Sequence, residues 1–184
     1  GEVSSQLQGG VTEIFSTSWA FAALKEDGSV VTWGSSNSGG DSRQVSSQLQ
    51  GGVREIFSTF GAFAALKEDG SVVTWGNSER GGDSRQVSSQ LQGGVTEIFS
   101  TFEAFAALKE DGSVVTWGDS NEGGDSGEVS SQLQGGVITL ASPFLEREEN
   151  GEMKKRKKSA QNPNPLEEIP QELASDEFMV DLWE

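Results

Sequence analysis

The sequence has neither cysteine nor histidine. Without cysteine there is no disulfide and no thiolate metal site, and the redox compartment leaves no trace in the chain. Without histidine there is no imidazole for acid–base chemistry or for zinc ligation. Hydrophobic residues make up only 33%, and no apolar run approaches the ~20 residues a membrane-spanning helix needs. No segment reads as a signal peptide. Positive charge is also short: 13 Lys and Arg stand against 29 Asp and Glu, a net charge of −16. Such a chain repels nucleic acid and anionic membrane over most of its surface, so any DNA contact requires a local basic patch.

What the chain has instead is glycine and repetition. Val3-Ser4-Ser5-Gln6-Leu7-Gln8 returns at Val45, Val87 and Val129, each step being 42 residues (45−3, 87−45, 129−87). Three whole copies run 3–44, 45–86 and 87–128, and a partial fourth covers 129–144. The first ten residues, Gly1 to Gly10, recur intact at Gly127 to Gly136. The chain thus begins inside a repeat and reads as a piece of a longer array. A fixed period settles architecture before any finer reading.

Within one copy the signals are β. Val11 to Thr17 is rich in β-branched and aromatic residues, and Ala20 to Lys25 and Val30 to Trp33 are short apolar runs. Asp27-Gly28 between the last two is a strong hairpin signal, and Gly34 closes the third strand. The more polar Val45 to Leu49 is the expected fourth strand. No sustained 3.6-residue period appears and Gly-Gly interrupts every copy, which disfavours a helical solenoid. Four short strands in about 40–45 residues is the size of a propeller blade. The expected fold is all-β, an incomplete or open ring of propeller-type blades over 1–144.

Residues 10–34 resemble the repeat of the regulator-of-chromosome-condensation family. The elements that match are Val11, Ile14, Ala22-Ala23-Leu24, Asp27-Gly28 and Val31 to Gly34, and they recur in phase as Ala64 to Leu66, Val73 to Gly76, Ala106 to Leu108 and Val115 to Gly118. The resemblance covers roughly residues 1–140 and implies β-propeller blades. The chain departs from the family's pattern at Ser16-Thr17, near Ala20, and at Gly39-Gly40-Asp41-Ser42. The family's exchange activity on a small GTPase depends on loops of a complete seven-bladed ring. These have no counterpart here, so no catalytic residue carries over.

Closed propellers use about 4–8 blades. Three copies and part of a fourth imply further blades in a parent protein, self-association through exposed blade edges, or an open arc; the start within a repeat favours the first. Val137 to Ser142 aligns with Val11 to Ser16, with Leu140 in the place of Ile14 and Pro143 ending the match, as suits a capping repeat.

The copies differ at few places. Ser18-Trp19, Phe60-Gly61 and Phe102-Glu103 lie between the first two strands, and Ser35 to Ser38, Asn77 to Arg80 and Asp119 to Glu122 follow the third. In an up-and-down blade both connections fall on one face, opposite the invariant Glu-Asp-Gly-Ser turn. Variable loops on a fixed frame suit partner recognition. The candidate contact residues are Trp19, Phe60, Phe102, Glu79, Arg80, Asp119, Asn121 and Glu122. Neutral drift is the competing explanation. Thr12, Arg54 and Thr96, and the pairs beginning at Arg43, Arg85 and Gly127, also vary without obviously falling on that face.

Trp33, Trp75 and Trp117 recur at one position and read as packing residues more readily than as a ligand cage. Asp41, Asp83 and Asp125 read as turn residues rather than calcium ligands, since one carboxylate per loop is too few. Glu26-Asp27 reads as a solvated turn rather than an acid pair for glycoside hydrolysis. No metal or other cofactor is expected.

After Phe144 the composition changes. Residues 145–165 read as a flexible charged linker containing the basic block Lys154, Lys155, Arg156, Lys157 and Lys158, a candidate nuclear-import or nucleic-acid patch. Residues 166–184 are acidic and amphipathic. Ser175 can cap a short helix on which Phe178, Met179, Leu182 and Trp183 share a face suited to a partner's groove or to the chain's own open blade. The leading functional reading is a non-enzymatic protein-interaction scaffold without membrane attachment, and an intracellular, even nuclear, location suits it. The alternatives are a chromatin-associated guanine-nucleotide exchange factor and a carbohydrate-binding propeller using the repeated tryptophans.

Overall fold

Each copy folds into three short strands because its β-branched and aromatic runs are cut by residues that turn the chain. A computed structural model of the protein describes residues 2–137 and two short strands farther on. The first copy forms β1 (Val11–Ser16), β2 (Ala20–Lys25) and β3 (Val30–Gly34). The second forms β4 (Val53–Ser58), β5 (Ala62–Lys67) and β6 (Val72–Gly76), and the third β7 (Val95–Ser100), β8 (Ala104–Lys109) and β9 (Val114–Gly118). Each triplet is its own antiparallel sheet, ordered β1-β2-β3, β4-β5-β6 and β7-β8-β9. These sheets are blades of an incomplete propeller, and among the described residues they do not close into a ring.

The register is the same in all three sheets: Phe15 faces Ala22, and Phe21 faces Trp33, with the partners 42 and 84 residues on repeating both pairs. A bulge after the first residue of each inner strand leaves Thr12, Arg54 or Thr96 as the extra residue. At the second turn Lys25 N–H donates to the Ser29 carbonyl (2.9 Å), and Gly28 takes a positive φ of 74°. The Asp27 carboxylate accepts from the Ser29 N–H and hydroxyl. These bonds hold the Asp27 carboxyl below its ordinary range, as Ser71 and Ser113 do for Asp69 and Asp111. The Asp27 carboxylate is thus a turn device.

The expected fourth strand does not form. Arg43–Leu49 and Arg85–Gln90 are 3-10 helices, Gly127–Gln132 repeats the form, and Glu2–Gln6 is a short helix, α1. The cause is local. Asp41 accepts from the Arg43 N–H (3.0 Å), and Val45 N–H donates back to the Ser42 carbonyl (3.0 Å), so the backbone closes on itself before a ladder can start. Thr32 Oγ1 fixes the entry through the Gly40 carbonyl and the Ser42 hydroxyl. The segment still occupies the outer edge of the blade, where Val72 N–H donates to the Leu91 carbonyl and Val114 N–H to that of Leu133. Leu49 and Leu91 are buried between neighbouring sheets.

Asp41 and Asp83 grip Arg43 and Arg85 through both carboxylate oxygens. The Arg43 side chain, and then its N–H, hold the Asp41 carboxyl down to about 2, and Arg85 lowers Asp83 in the same way.

Neighbouring blades meet through side chains. The first joint packs Phe15, Ala20, Ala22 and Leu24 against Ile56, Phe63, Ala65 and Trp75, and the second repeats this one copy on. The repeated tryptophans belong to these joints. Trp75 stacks on Phe63 (centroids 5.2 Å apart) and donates Nε1–H to the Gly39 carbonyl of the preceding blade (3.0 Å); Trp117 does the same with Phe105 and Gly81. A Cβ on Gly39 or Gly81 would lie 2.5 Å from the ring of Phe63 or Phe105. At the other edge of the joint Val53 N–H reaches the Gly28 carbonyl (3.0 Å), tying the start of each blade to the previous hairpin.

The chain divides into two units, Gly1–Leu145 and Glu146–Glu184. Beyond residue 137 the described elements are β10 (Leu145–Arg147) and β11 (Met153–Lys155), which pair with each other. The rest of the partial copy and most of the tail lie outside the described residues.

Gly81→Ala should cost about 1–3 kcal/mol more than Gly123→Ala in urea denaturation. Both positions have φ near +95°, but only at Gly81 does the new methyl meet a ring. The depressed carboxyls at Asp41 and Asp83 contribute stability that is complete above the ordinary carboxylate pKa of 3.8 and fades as pH falls below it, toward about 2 for Asp41. Thermal melts of the chain should therefore lose more between pH 4 and pH 2 than those of an Asp41→Asn/Asp83→Asn variant.

Candidate interaction face

The variable connections need a fixed frame, and a threonine provides it. Thr17, Thr59 and Thr101 directly follow the first strand of each blade, where Oγ1 accepts from the N–H of Ala20, Ala62 or Ala104. The same hydroxyl donates across to the carbonyl of Ser38, Arg80 or Glu122 in the third connection (2.8–2.9 Å). A backbone bond runs parallel to it, from Ser35, Asn77 or Asp119 N–H to the carbonyl of Trp19, Gly61 or Glu103. The first and third connections are thus latched together at one end of each blade, and the Asp-Gly hairpins lie at the other.

A row of backbone bonds links these ends along the array: Ser18 N–H donates to the Phe60 carbonyl (3.1 Å), and Phe60 N–H to the Phe102 carbonyl (2.8 Å). This brings three of the candidate residues together. Trp19 meets Phe60 edge-on with ring centroids 5.0 Å apart, and Phe60 meets Phe102 at 4.5 Å. The outer two rings are open to water, with Trp19 59% and Phe102 58% exposed. Phe60, between them, is half-buried.

Arg80 belongs to the same cluster. Its guanidinium sits 4.6 Å from the Phe60 centroid and pairs with Glu103 of the next blade at 2.8 Å. The small residue Gly61 leaves room for it, since a Cβ there would be 3.2 Å from Arg80 Cδ. Arg80 therefore bridges the second and third blades as well as facing solvent.

The remaining candidates flank the row. Glu79, Asn121 and Glu122 are exposed on the short 3-10 turns Ser78–Arg80 and Ser120–Glu122. Asp119 caps the second of these by accepting from the Asn121 N–H (2.8 Å), as Asn77 caps the first. Its carboxylate is thus engaged in holding the turn. Glu103 is the residue the sequence reading passed over, although it sits in a variable pair. The latch threonines were also missed; their signal was invariance directly beside variable positions. Arg54, outside the face, reaches the Thr96 carbonyl of the next blade (2.8 Å). Phe178, Met179, Leu182 and Trp183, and Arg156 to Lys158, lie outside the described residues, and of Lys154 and Lys155 only the strand backbone is described.

The sheets and their joints define a partial β-propeller built from 42-residue blades. Solved structures to which the chain is similar include Prp20p, the yeast RCC1, from Saccharomyces cerevisiae, at 20% identity over 59% of this chain and 30% of that one, with a TM-score of 0.43. Human WBSCR16 is 21% identical over 59% of this chain and 34% of that one (TM-score 0.40). The ectodomain of the Physcomitrella patens receptor kinase CR4 is 18% identical over 59% and 29% (TM-score 0.41). These likenesses concern the fold alone, and the chain spans about a third of the length of each. No protein-family profile and no curated protein matches the sequence at a significant level.

The latch carries a prediction. Thr59→Val keeps the shape of a buried side chain but leaves the Ala62 N–H and the Arg80 carbonyl without their partner. Urea denaturation should show a loss of about 1–3 kcal/mol.

Proposed function

We propose that the chain is a non-enzymatic protein-interaction scaffold that presents the latched end of its blades to a protein partner. The observation that carries this reading is the continuous aromatic row Trp19–Phe60–Phe102, two of whose rings stand in water on a rigid frame. Exposed contiguous apolar surface rimmed by polar groups marks an interaction site, and aromatic and Arg residues dominate binding energy at such sites. Glu79, Arg80, Asn121 and Glu122 form the polar rim, and Asp119 sets the shape of one loop. Drift alone has no reason to place the bulky substitutions of three copies in ring contact. The carbohydrate reading fares worse, because Trp75 and Trp117 are sealed within the blade joints. The tail motif Phe178, Met179, Leu182 and Trp183 is proposed as a second contact element.

The test is a Trp19→Ser/Phe60→Ser/Phe102→Ser variant whose far-ultraviolet circular dichroism matches that of the unaltered chain. Proximity cross-linking in the native host should recover a defined partner with the unaltered chain and lose at least about tenfold of it with the variant, the scale of two or three lost anchor residues. Equal recovery of the same partner by both would overturn the assignment of the face.

A further inference from the structure

The second copy carries two arginines that the other copies lack. Arg54 stands where they have Thr12 and Thr96, and Arg80 where they have Ser38 and Glu122. Both reach the same neighbour. Arg54 Nη2 donates to the Thr96 carbonyl of the third blade (2.8 Å), and Arg80 Nε pairs with Glu103 of that blade (2.8 Å). Arg54 is the bulge residue near the start of β4, at the hairpin end of the joint, and Arg80 leaves the 3-10 turn at the latched end. The joint between the second and third blades is thus gripped at both ends.

The joint between the first and second blades has the same kind of buried core but neither grip. Thr12 turns its hydroxyl back to the Leu24 carbonyl of its own blade (3.1 Å), and Ser38 and Gly61 hold the positions of Arg80 and Glu103. Among the described residues no ion pair crosses this joint.

The path of Arg80 is itself specific to its copy. The side chain passes over Gly61, where a Cβ would be 3.2 Å from Cδ and 3.5 Å from Nη1, and lies against the Phe60 ring (4.6 Å) before it reaches Glu103. The Trp19 or Glu103 that other copies have in the place of Gly61 would obstruct that path. Gly61, Arg80 and Glu103 therefore fit one another as a set.

We propose that Arg54 and Arg80 are pairing-specificity residues, which select the third blade as the neighbour of the second. The buried faces cannot make this choice, since the same residue types form both joints. Connectivity fixes the order of blades within one molecule, but near-identical repeats exchange partners between molecules as they fold, a characteristic failure of repeat proteins. Discrimination then comes from groups that a wrong pairing leaves unsatisfied. A second blade seated on another second blade would set Arg54 beside Arg54 and leave Arg80 facing Gly61. A first blade seated on a third would put Ser38 against Glu103, whose side chain is only 22% exposed, and strip that carboxylate of its cation. Arg54 lies away from the aromatic row, so this assignment does not depend on that row binding a partner.

The test uses the full 184-residue chain and a variant, Arg54→Thr/Arg80→Ser/Glu103→Gly, whose second joint has the residues of the first. Four backbone amides report on the joints separately: Ser18 and Val53 bond across the first, Phe60 and Val95 across the second. In hydrogen exchange followed by NMR, the variant should exchange Phe60 and Val95 at least about threefold faster, the scale of a partly exposed charge pair. Ser18 and Val53 should keep the rate of the unaltered chain. Both chains are then refolded from urea at high concentration and diluted, and light scattering measures the oligomer that stays trapped. The variant should trap at least about threefold more. Refolding in ~1 M NaCl, where the screening length is ~3 Å, should narrow that gap. Glu103→Gln, which removes the charge and keeps the shape, should move exchange and trapping in the same direction by a smaller amount. Unchanged exchange at Phe60 and Val95 would overturn the grip itself. Faster exchange with equal trapping would overturn the selection of neighbours and leave two contacts that only stabilise a joint.

Discussion

The joint between blades rests on a glycine that has no substitute. At Gly39 and Gly81 the chain runs so close to the next sheet that a phenylalanine ring fills the space a side chain would need, and the carbonyl there receives the indole N–H of a tryptophan. One residue thus sets the distance between sheets and satisfies the polar atom of the largest side chain in the joint. The sheets share few backbone bonds, so the apolar packing organised around this point keeps them in order. The leucine of each 3-10 segment then closes the outer side of the same joint.

The frame and the variable surface are separated within each copy. The hairpin end uses the same residues every time, and its aspartates are committed to their own turns. At the other end a threonine, buried in the first two copies and exposed in the third, ties two connections together, so that residues on either side of it can change without disturbing the strands. The changes that have occurred do two things. They expose aromatic rings, and through Arg80 and Glu103 they tie one blade to the next. A surface of this kind can vary while the spacing of the blades stays fixed.

Much of this was legible in the sequence, because the 42-residue period gives every signal three times. The three strands of each copy, the Asp-Gly hairpin and the packing role of the tryptophans could be read from residue type and phase. The fourth strand could not. Val45 to Leu49 has a strand's length and terminal residues, but the preceding Asp41 carboxylate and Ser42 carbonyl accept from the Arg43 and Val45 N–H groups and curl the backbone into a 3-10 turn. The convergence of Trp19 with Phe60 was also hidden, since they occupy different positions in their repeats and meet only because blades stack with an offset. Glu103 gave no sign of its role until Arg80 was placed opposite it.

Because contacts run only between adjacent sheets, the array behaves as a short one-dimensional stack. Losing the first or third sheet breaks one joint, whereas losing the second breaks two. Among the described sheets, the one formed by β4 to β6 is therefore held from both sides and opens last.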